Sequence, residues 1–217
     1  MITVTAAASS RKLATLALLK EDLSITVSDN DTALNRILDQ ASSMITRYCG
    51  REFARETIVE TLPGNGKFTL LLTRTPIVSI SAITYDGVTV SADDYSIREP
   101  EAGIIYNRYG WNETARASQG LSQNPILSSR ENLYSVTYVA GYILPSFTDP
   151  AGANLPYDIE RACLDIAKGY WVNPGINTVI QSESVPDVAS VTYRDMSQAG
   201  AMPAHVREIL DSWKRYA

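Results

Sequence analysis

Histidine and cysteine are almost missing from this chain: one of the first, His205, and two of the second, Cys49 and Cys163, in 217 residues. Two cysteines and one histidine far apart in sequence offer no zinc spacing. Both cysteines fall in apolar helical stretches and read as reduced core thiols, not as the staples of a secreted scaffold. With His205 the sole imidazole, a hydrolase would have to build its base on a short terminal helix, and no G-x-S-x-G elbow exists to supply a nucleophile. The carboxylates Asp93, Asp94, Glu99 and Glu101 lie in turns between strands and read as solvated rather than as a paired acid and base. The sequence therefore names no catalytic, cofactor-binding or metal residue. A basic excess is missing too: 19 Lys and Arg stand against 24 Asp and Glu, for a formal charge of −5. That balance excludes a protein whose main task is to grip nucleic acid. Long apolar runs are absent as well. Leu13–Leu19 is short and is followed at once by Lys20, Glu21 and Asp22 where a signal peptide would have small residues, and no stretch approaches the ~20 residues of a membrane span. The expectation is a protein with no membrane partner that is cytoplasmic when made.

What is present is ordinary soluble composition, 45% hydrophobic and 20% charged, arranged in two periodicities. Apolar residues at three- and four-residue steps predict helices over 11–25, 28–49, 155–172 and 203–216. The second is expected to bury Leu34, Ile37, Leu38, Ala41, Met44, Ile45 and Tyr48 and to stop at Gly50. The third opens on Pro156, which suits a first helical position, and carries its stripe on Ile159, Ala162, Cys163 and Ile166. Ile37, Met44, Tyr48, Ile159, Cys163 and Ile166 are expected to meet in one cluster.

Between 55 and 142 the period falls to two. Strands are expected at 56–62 and 67–72, joined as a hairpin across Pro63-Gly64-Asn65-Gly66. Further strands are expected at 77–85 and 88–91 around an Asp86-Gly87 turn, then at 95–98, 104–107 and 134–142. GNGK lacks the spacing of a phosphate loop. The resulting fold class is α+β: a bundle of three to four helices with an antiparallel sheet inserted between the second and third long helices. Residues 1–10 read as a flexible arm, 11–172 as the main domain, and 173–217 as a C-terminal extension.

Two stretches read as contact surfaces. The long polar segment 111–132 is of the kind that carries binding on a rigid scaffold, with Trp111, Asn112, Arg116, Gln119, Gln123 and Asn124 as candidates. The chain end, Trp213, Lys214, Arg215 and Tyr216, is basic and aromatic on an acidic protein, and these are residue types enriched at interface hot spots.

The order of motifs is informative beyond any one of them. LATLALLKEDLSI, a long helix closing on ITRYCGREF, TRTPIVSISAITYDGVTV followed by DDYSI, YSVTYVAGY and LPYDIERACLDIAKGYW resemble the head-tail connector, or adaptor, family of tailed bacteriophages over about Lys12 to Trp171. The resemblance implies a non-enzymatic virion neck protein, assembled in host cytoplasm. It would form a ring with copies of itself, twelve-fold in members of this kind. The ring sits under the portal protein, extends the DNA channel without sequence-specific DNA binding, and docks a stopper or tail-terminator protein. It further implies portal contact at the chain end, while subunit or tail contact along 111–132 is expected from the polar length of that segment alone. Removing the terminal helix should then leave the rest folded and abolish portal attachment. Other readings stay open: a stopper or tail-completion protein, a virion carbohydrate-binding module using the aromatics of the sheet, or a small hydrolase dependent on His205.

Overall fold

The computed structural model describes residues 1–112, 133–146, 152–172 and 202–215, together with the backbone of 182–185 and 189–192. The class is α+β, with four helices and antiparallel sheets among the described residues. Two compact units result. One joins Met1–Ser10 to Glu52–Ile143, and the other joins Arg11–Arg51 to Leu144–Ala217.

The first unit is built from strands. Strands β1 (Ile2–Ala6), β2 (Glu56–Leu62), β4 (Ile77–Tyr85), β5 (Val88–Thr89) and β8 (Tyr134–Ala140) form one antiparallel sheet in the order β1-β2-β8-β4-β5. A second sheet has the order β3-β7-β6, from β3 (Thr69–Leu71), β6 (Tyr95–Glu99) and β7 (Ile104–Asn107). Alternation does the sorting: in β8, Tyr134, Val136, Tyr138 and Ala140 are buried while Ser135, Thr137 and Val139 are half-buried. Those inward residues meet Ile58, Ile77, Ile83 and Tyr85 of the same sheet and Leu70, Ile105 and Trp111 from the region of the other, in one apolar core.

Three expectations are corrected here. Residues 1–10 are not a loose arm throughout, because Ile2–Ala6 pairs with β2 in antiparallel register. The expected hairpin of 56–62 with 67–72 does not form: β2 pairs with β1 and β8, and β3 pairs with β7. The reason lies in the turn. The type I′ turn that Asn-Gly favours needs positive φ at both central positions, but of Asn65 and Gly66 only Gly66 has it (66°). Asn65 instead folds its side chain back, accepting from the Lys67 N–H at 3.0 Å and donating to the Thr69 carbonyl at 2.9 Å. The chain thereby crosses from one sheet to the other, so the expected single sheet is two. Asp86 and Gly87 do satisfy the rule, at φ 50° and 79°, and they join β4 to β5 as the sequence predicts.

Gly141, in the YVAGY motif, is required by close approach. Its φ is +105°, and a Cβ there would sit 2.3 Å from the Ala54 carbonyl oxygen. The naked backbone lets Tyr142 N–H reach the Phe53 carbonyl (2.7 Å) and Arg55 N–H reach the Tyr142 carbonyl (2.9 Å).

One polar group lies inside this unit. Glu60 is 1% exposed. Its carboxylate accepts from the Tyr138 hydroxyl at 2.6 Å, from the Thr73 N–H at 2.9 Å and from the Thr73 hydroxyl. Tyr138 in turn accepts from the Arg74 N–H at 3.1 Å. Burial, together with the Glu60 carboxylate, pushes the Tyr138 phenol far above its ordinary value, so it remains a donor. The network ties β2, β8 and the β3–β4 connection together. Glu60→Ala would orphan donors on Tyr138 and Thr73, at about 1–3 kcal/mol each. With three donors left unpaired we expect a loss of at least about 3 kcal/mol, with Glu60→Gln costing less because an amide oxygen still accepts. Equal urea midpoints for the two variants would reject this account.

The second unit is helical: α1 (Leu16–Asp22), α2 (Asp31–Cys49), α3 (Tyr157–Val172) and α4 (Ala204–Asp211). Helix α1 is shorter than the expected 11–25. Thr15 caps it, its side chain accepting from the Leu18 N–H at 3.3 Å, and the N–H of Leu13 is already committed to the Ser42 hydroxyl at 3.1 Å. Helix α2 begins at Asp31 rather than 28, since Ser28 closes a preceding turn through its carbonyl (Asp31 N–H, 3.1 Å), and ends on Gly50 at φ 64°. Helix α2 packs on α3, and α4 packs on both. The buried face of α2 is Leu34, Leu38, Ala41, Ser42, Ile45 and Cys49; of α3 it is Ile159, Ala162, Cys163, Leu164, Ile166 and Ala167. The expected cluster is thus half right: the α3 members are buried, while Ile37, Met44 and Tyr48 flank the seam as half-buried residues. Strands β9 (Ser182–Val185) and β10 (Ala189–Thr192) pair antiparallel with each other.

Candidate functional site

The chain end is held by three other segments of the helical unit. After α4, two turn residues carry the chain across the C-terminus of α2, where Arg215 N–H donates to the Cys49 carbonyl at 2.9 Å. That bond satisfies one of the carbonyls a helix leaves open at its end. Tyr48 donates its hydroxyl to Asp211 at 2.6 Å, and Lys214 lies 4.2 Å from the centre of the Tyr48 ring and 3.3 Å from Asp211. The hydrogen bond from Tyr48, with help from Lys214, holds the Asp211 carboxyl below its usual range, and the same bond raises the Tyr48 phenol. Trp213 donates its indole N–H to Asp158 at the start of α3 (2.8 Å), and the Arg51 guanidinium lies over its ring at 5.8 Å.

Trp213, Lys214 and Arg215 are therefore brought together, half-buried rather than extended into solvent. Tyr216 lies outside the described residues, as do Arg116, Gln119, Gln123 and Asn124. The lead segment 193–201 also lies outside them.

Trp111 is not a surface residue, which corrects its place among the candidate contacts. It is 0% exposed. Its indole N–H donates to the Phe68 carbonyl at 3.1 Å, its ring stands edge-on to Tyr134 at 5.1 Å, and its own carbonyl receives the N–H groups of Asn65 and Gly66. A tryptophan opening a long polar segment signals an anchor as readily as a docking group, and composition could not separate the two. Asn112, its neighbour, is exposed. It borders a cleft of about 450 Å³ also lined by Thr89, Ser91, Asp94, Asn107 and Tyr109. Asp94, on the wall of this cleft, pairs with Arg108 at 2.9 Å, which raises the Arg108 pKa further.

His205 stands 3.4 Å from Asp165 and is exposed. Asp165 also binds Arg161 at 2.8 Å, and Arg161 reaches Asp22, which Lys168 meets at 2.5 Å. These contacts join α1 to α3, and they lower the Asp22 carboxyl, chiefly through Lys168. Among the described residues no group of three or more His, Cys, Asp or Glu side chains could hold a metal ion, and no helix is long and apolar enough to cross a membrane.

Both cysteines are buried and unlinked. Burial pushes each thiol up to about 11. Neutral thiols add stability that is complete below their ordinary value near 9 and is lost as pH rises toward 11. We expect a thiol reagent at pH 8 to label neither cysteine in the folded protein and both after denaturation; rapid labelling of the native chain would contradict this.

Residues 12–216 match the head completion protein family. No curated protein matches the chain. Solved structures do. A chain from the neck of an empty GTA particle with C6 symmetry shares 15% identity at TM-score 0.60, covering 100% of this chain and 96% of that one. A chain from the virion of a native gene transfer agent (GTA) particle shares 14% at TM-score 0.57, with the same coverage. A chain from the neck of a native GTA particle with C12 symmetry shares 13% at TM-score 0.57, again with 100% and 96% covered. At such identities the likeness is one of fold, whereas the family match spans nearly the whole sequence and establishes that the chain belongs to the head completion protein family.

Proposed function

We propose that this protein is a structural component of the neck of a tailed, phage-like particle. Copies of it form a closed ring under the portal, extend the DNA channel, and present a surface to a stopper or tail protein. The observation that carries this reading is the family match over residues 12–216. The fold shared along the whole chain with proteins of GTA necks, described with C6 and C12 symmetry, supports it. The helices act in this reading as one bundle into whose sequence the β unit is inserted.

The protein works by position and contact, not by catalysis. Its charge of −5 suits a conduit, because each Lys or Arg contact to phosphate would add counterion-release affinity that slows passing DNA. Trp213, Lys214, Arg215 and Tyr216 face the portal. Asn112 with Arg116, Gln119, Gln123 and Asn124 faces a neighbouring copy or the tail side.

Particles assembled without the protein should contain packaged heads that lack tails. Antibody or gold label on the protein should mark the neck, at a ring's stoichiometry per particle. Tailed, infectious particles formed in its absence would overturn the reading.

A further inference from the structure

The outermost strand of the larger sheet is unfinished. Among the described residues strand β1 pairs on one side only, with β2, and every residue from Ile2 to Ala6 is exposed. Met1 and Thr61 exchange both backbone hydrogen bonds, at 2.9 and 2.8 Å. In an antiparallel ladder bonded and non-bonded pairs alternate, so Thr3, opposite Val59, also faces β2. Ile2 and Val4, opposite Glu60 and Ile58, turn their N–H and C=O groups away from the sheet. Their side chains lie on the same face as Ile58 and Glu60, which are buried, yet remain 37% and 36% exposed, with no strand beyond them among the described residues. The strand ITVTA carries no proline, lysine or other charged side chain to guard an open edge, and its one irregularity, a register shift between Val4 and Ala6, leaves the Ile2–Val4 stretch regular.

Strands β9 and β10 have the opposite deficiency. Ser182↔Thr192 through Val185↔Ala189 form a two-stranded ladder with no third strand among the described residues. A lone hairpin is at best marginally stable in water, so both its outer edges call for a partner. Residues 173–181 and 193–203 tether it to α3 and α4, and nine and eleven residues can reach at most about 32 and 40 Å.

A closed ring needs two different, complementary surfaces on each subunit. We propose that the β9–β10 hairpin of one copy adds to the open edge of β1 on the next, bonding the outward N–H and C=O groups of Ile2 and Val4 and covering their side chains. This rests on the ring reading of the proposed function.

Hydrogen exchange on necks purified from particles, compared with the unassembled full chain, tests it. Peptides covering 1–6 and 182–192 should both slow by at least tenfold on assembly. Val4→Pro removes an outward N–H while leaving the β1–β2 ladder intact, a placement that edge strands tolerate. It should preserve the subunit's melting temperature and abolish ring formation, whereas Val4→Ala should assemble. Mixing copies carrying only Ile2→Cys with copies carrying only Ser182→Cys, Ser184→Cys or Ser190→Cys should give a disulfide-linked pair of copies on assembly. Necks that contain the protein but leave 1–6 exchanging as fast as in the free chain would overturn the inference and leave the neck reading standing. So would normal rings from Val4→Pro, or a disulfide that forms only when both cysteines share one chain. Necks that lack the protein would overturn the neck reading itself. Should Val4→Pro fail to fold, the exchange and cross-linking results decide alone.

Discussion

Replacing Trp111 with alanine should destabilise the β unit by about 3–5 kcal/mol, the usual range for a fully buried large aromatic. The side chain is 0% exposed, and its ring meets Tyr134 edge-on at 77°, while Tyr134 stacks on Tyr85 at 4.9 Å. Aromatic pairs of this kind add to the area term. Truncation would also leave the Phe68 carbonyl without its indole donor. The backbone bonds of Trp111 to Asn65, Gly66 and Lys67 would survive in principle, but they would anchor the Pro63–Lys67 crossing to a cavity. Asn112→Ala, one residue further on and exposed, should change stability by less than about 0.5 kcal/mol. Urea titrations followed by circular dichroism distinguish the outcomes. A Trp111→Ala protein within 1 kcal/mol of the parent, yet unable to assemble, would return this residue to the role of a contact that its sequence context suggested.

Trp111 shows where reading a sequence stops. The periodicity of α2, α3 and the strands was legible because one face of each element is buried and the alternation records it. The Gly50 stop and the Asp86-Gly87 turn were legible because both need backbone conformations that few residues adopt. Partner choice was not. Pro63-Gly64-Asn65-Gly66 has hairpin composition, and only the pairing of β2 with β1 and β8 and of β3 with β7 shows that no hairpin forms there. The β1 strand was missed because ITVTA is short and sits among alanines and serines; its cue was the Ile2, Val4 alternation with threonines. Glu60 was missed for a different reason. A carboxylate among ETIVETL reads as an outward residue, and nothing local announces that Thr73 and Tyr138, far along the chain, will donate to it.

The same limit shaped the expectation for the chain end. Its apolar stripe could pack on a portal or on the protein's own helices, and the contacts within the helical unit now weigh on what truncation would do. Met202, Val206 and Leu210 are buried, Leu210 offers its carbonyl to the Cys49 thiol at 3.8 Å, and Trp213 caps Asp158. Burying an apolar side chain of this size contributes about 1.5–3 kcal/mol, so three of them are on the order of the whole stability of an ordinary domain, about 5–15 kcal/mol. Deleting residues 202–217 should therefore unfold the helical unit, with α2 and α3 losing exchange protection, rather than yield a folded subunit that cannot dock. The portal role must be tested with lighter changes. Lys214→Ala and Arg215→Ala keep the Arg215 backbone bond to Cys49 and remove half-buried charge, in Lys214 with its contacts to Tyr48 and Asp211, so each should cost about 1 kcal/mol or less. If the end faces the portal, the double variant should fold normally and fail to join portals in a pull-down at low salt. Normal joining by that variant would remove the chain end from the interface. A truncated chain that keeps the protection of α2 and α3 would show instead that α4 is an appendage and not part of the bundle's core.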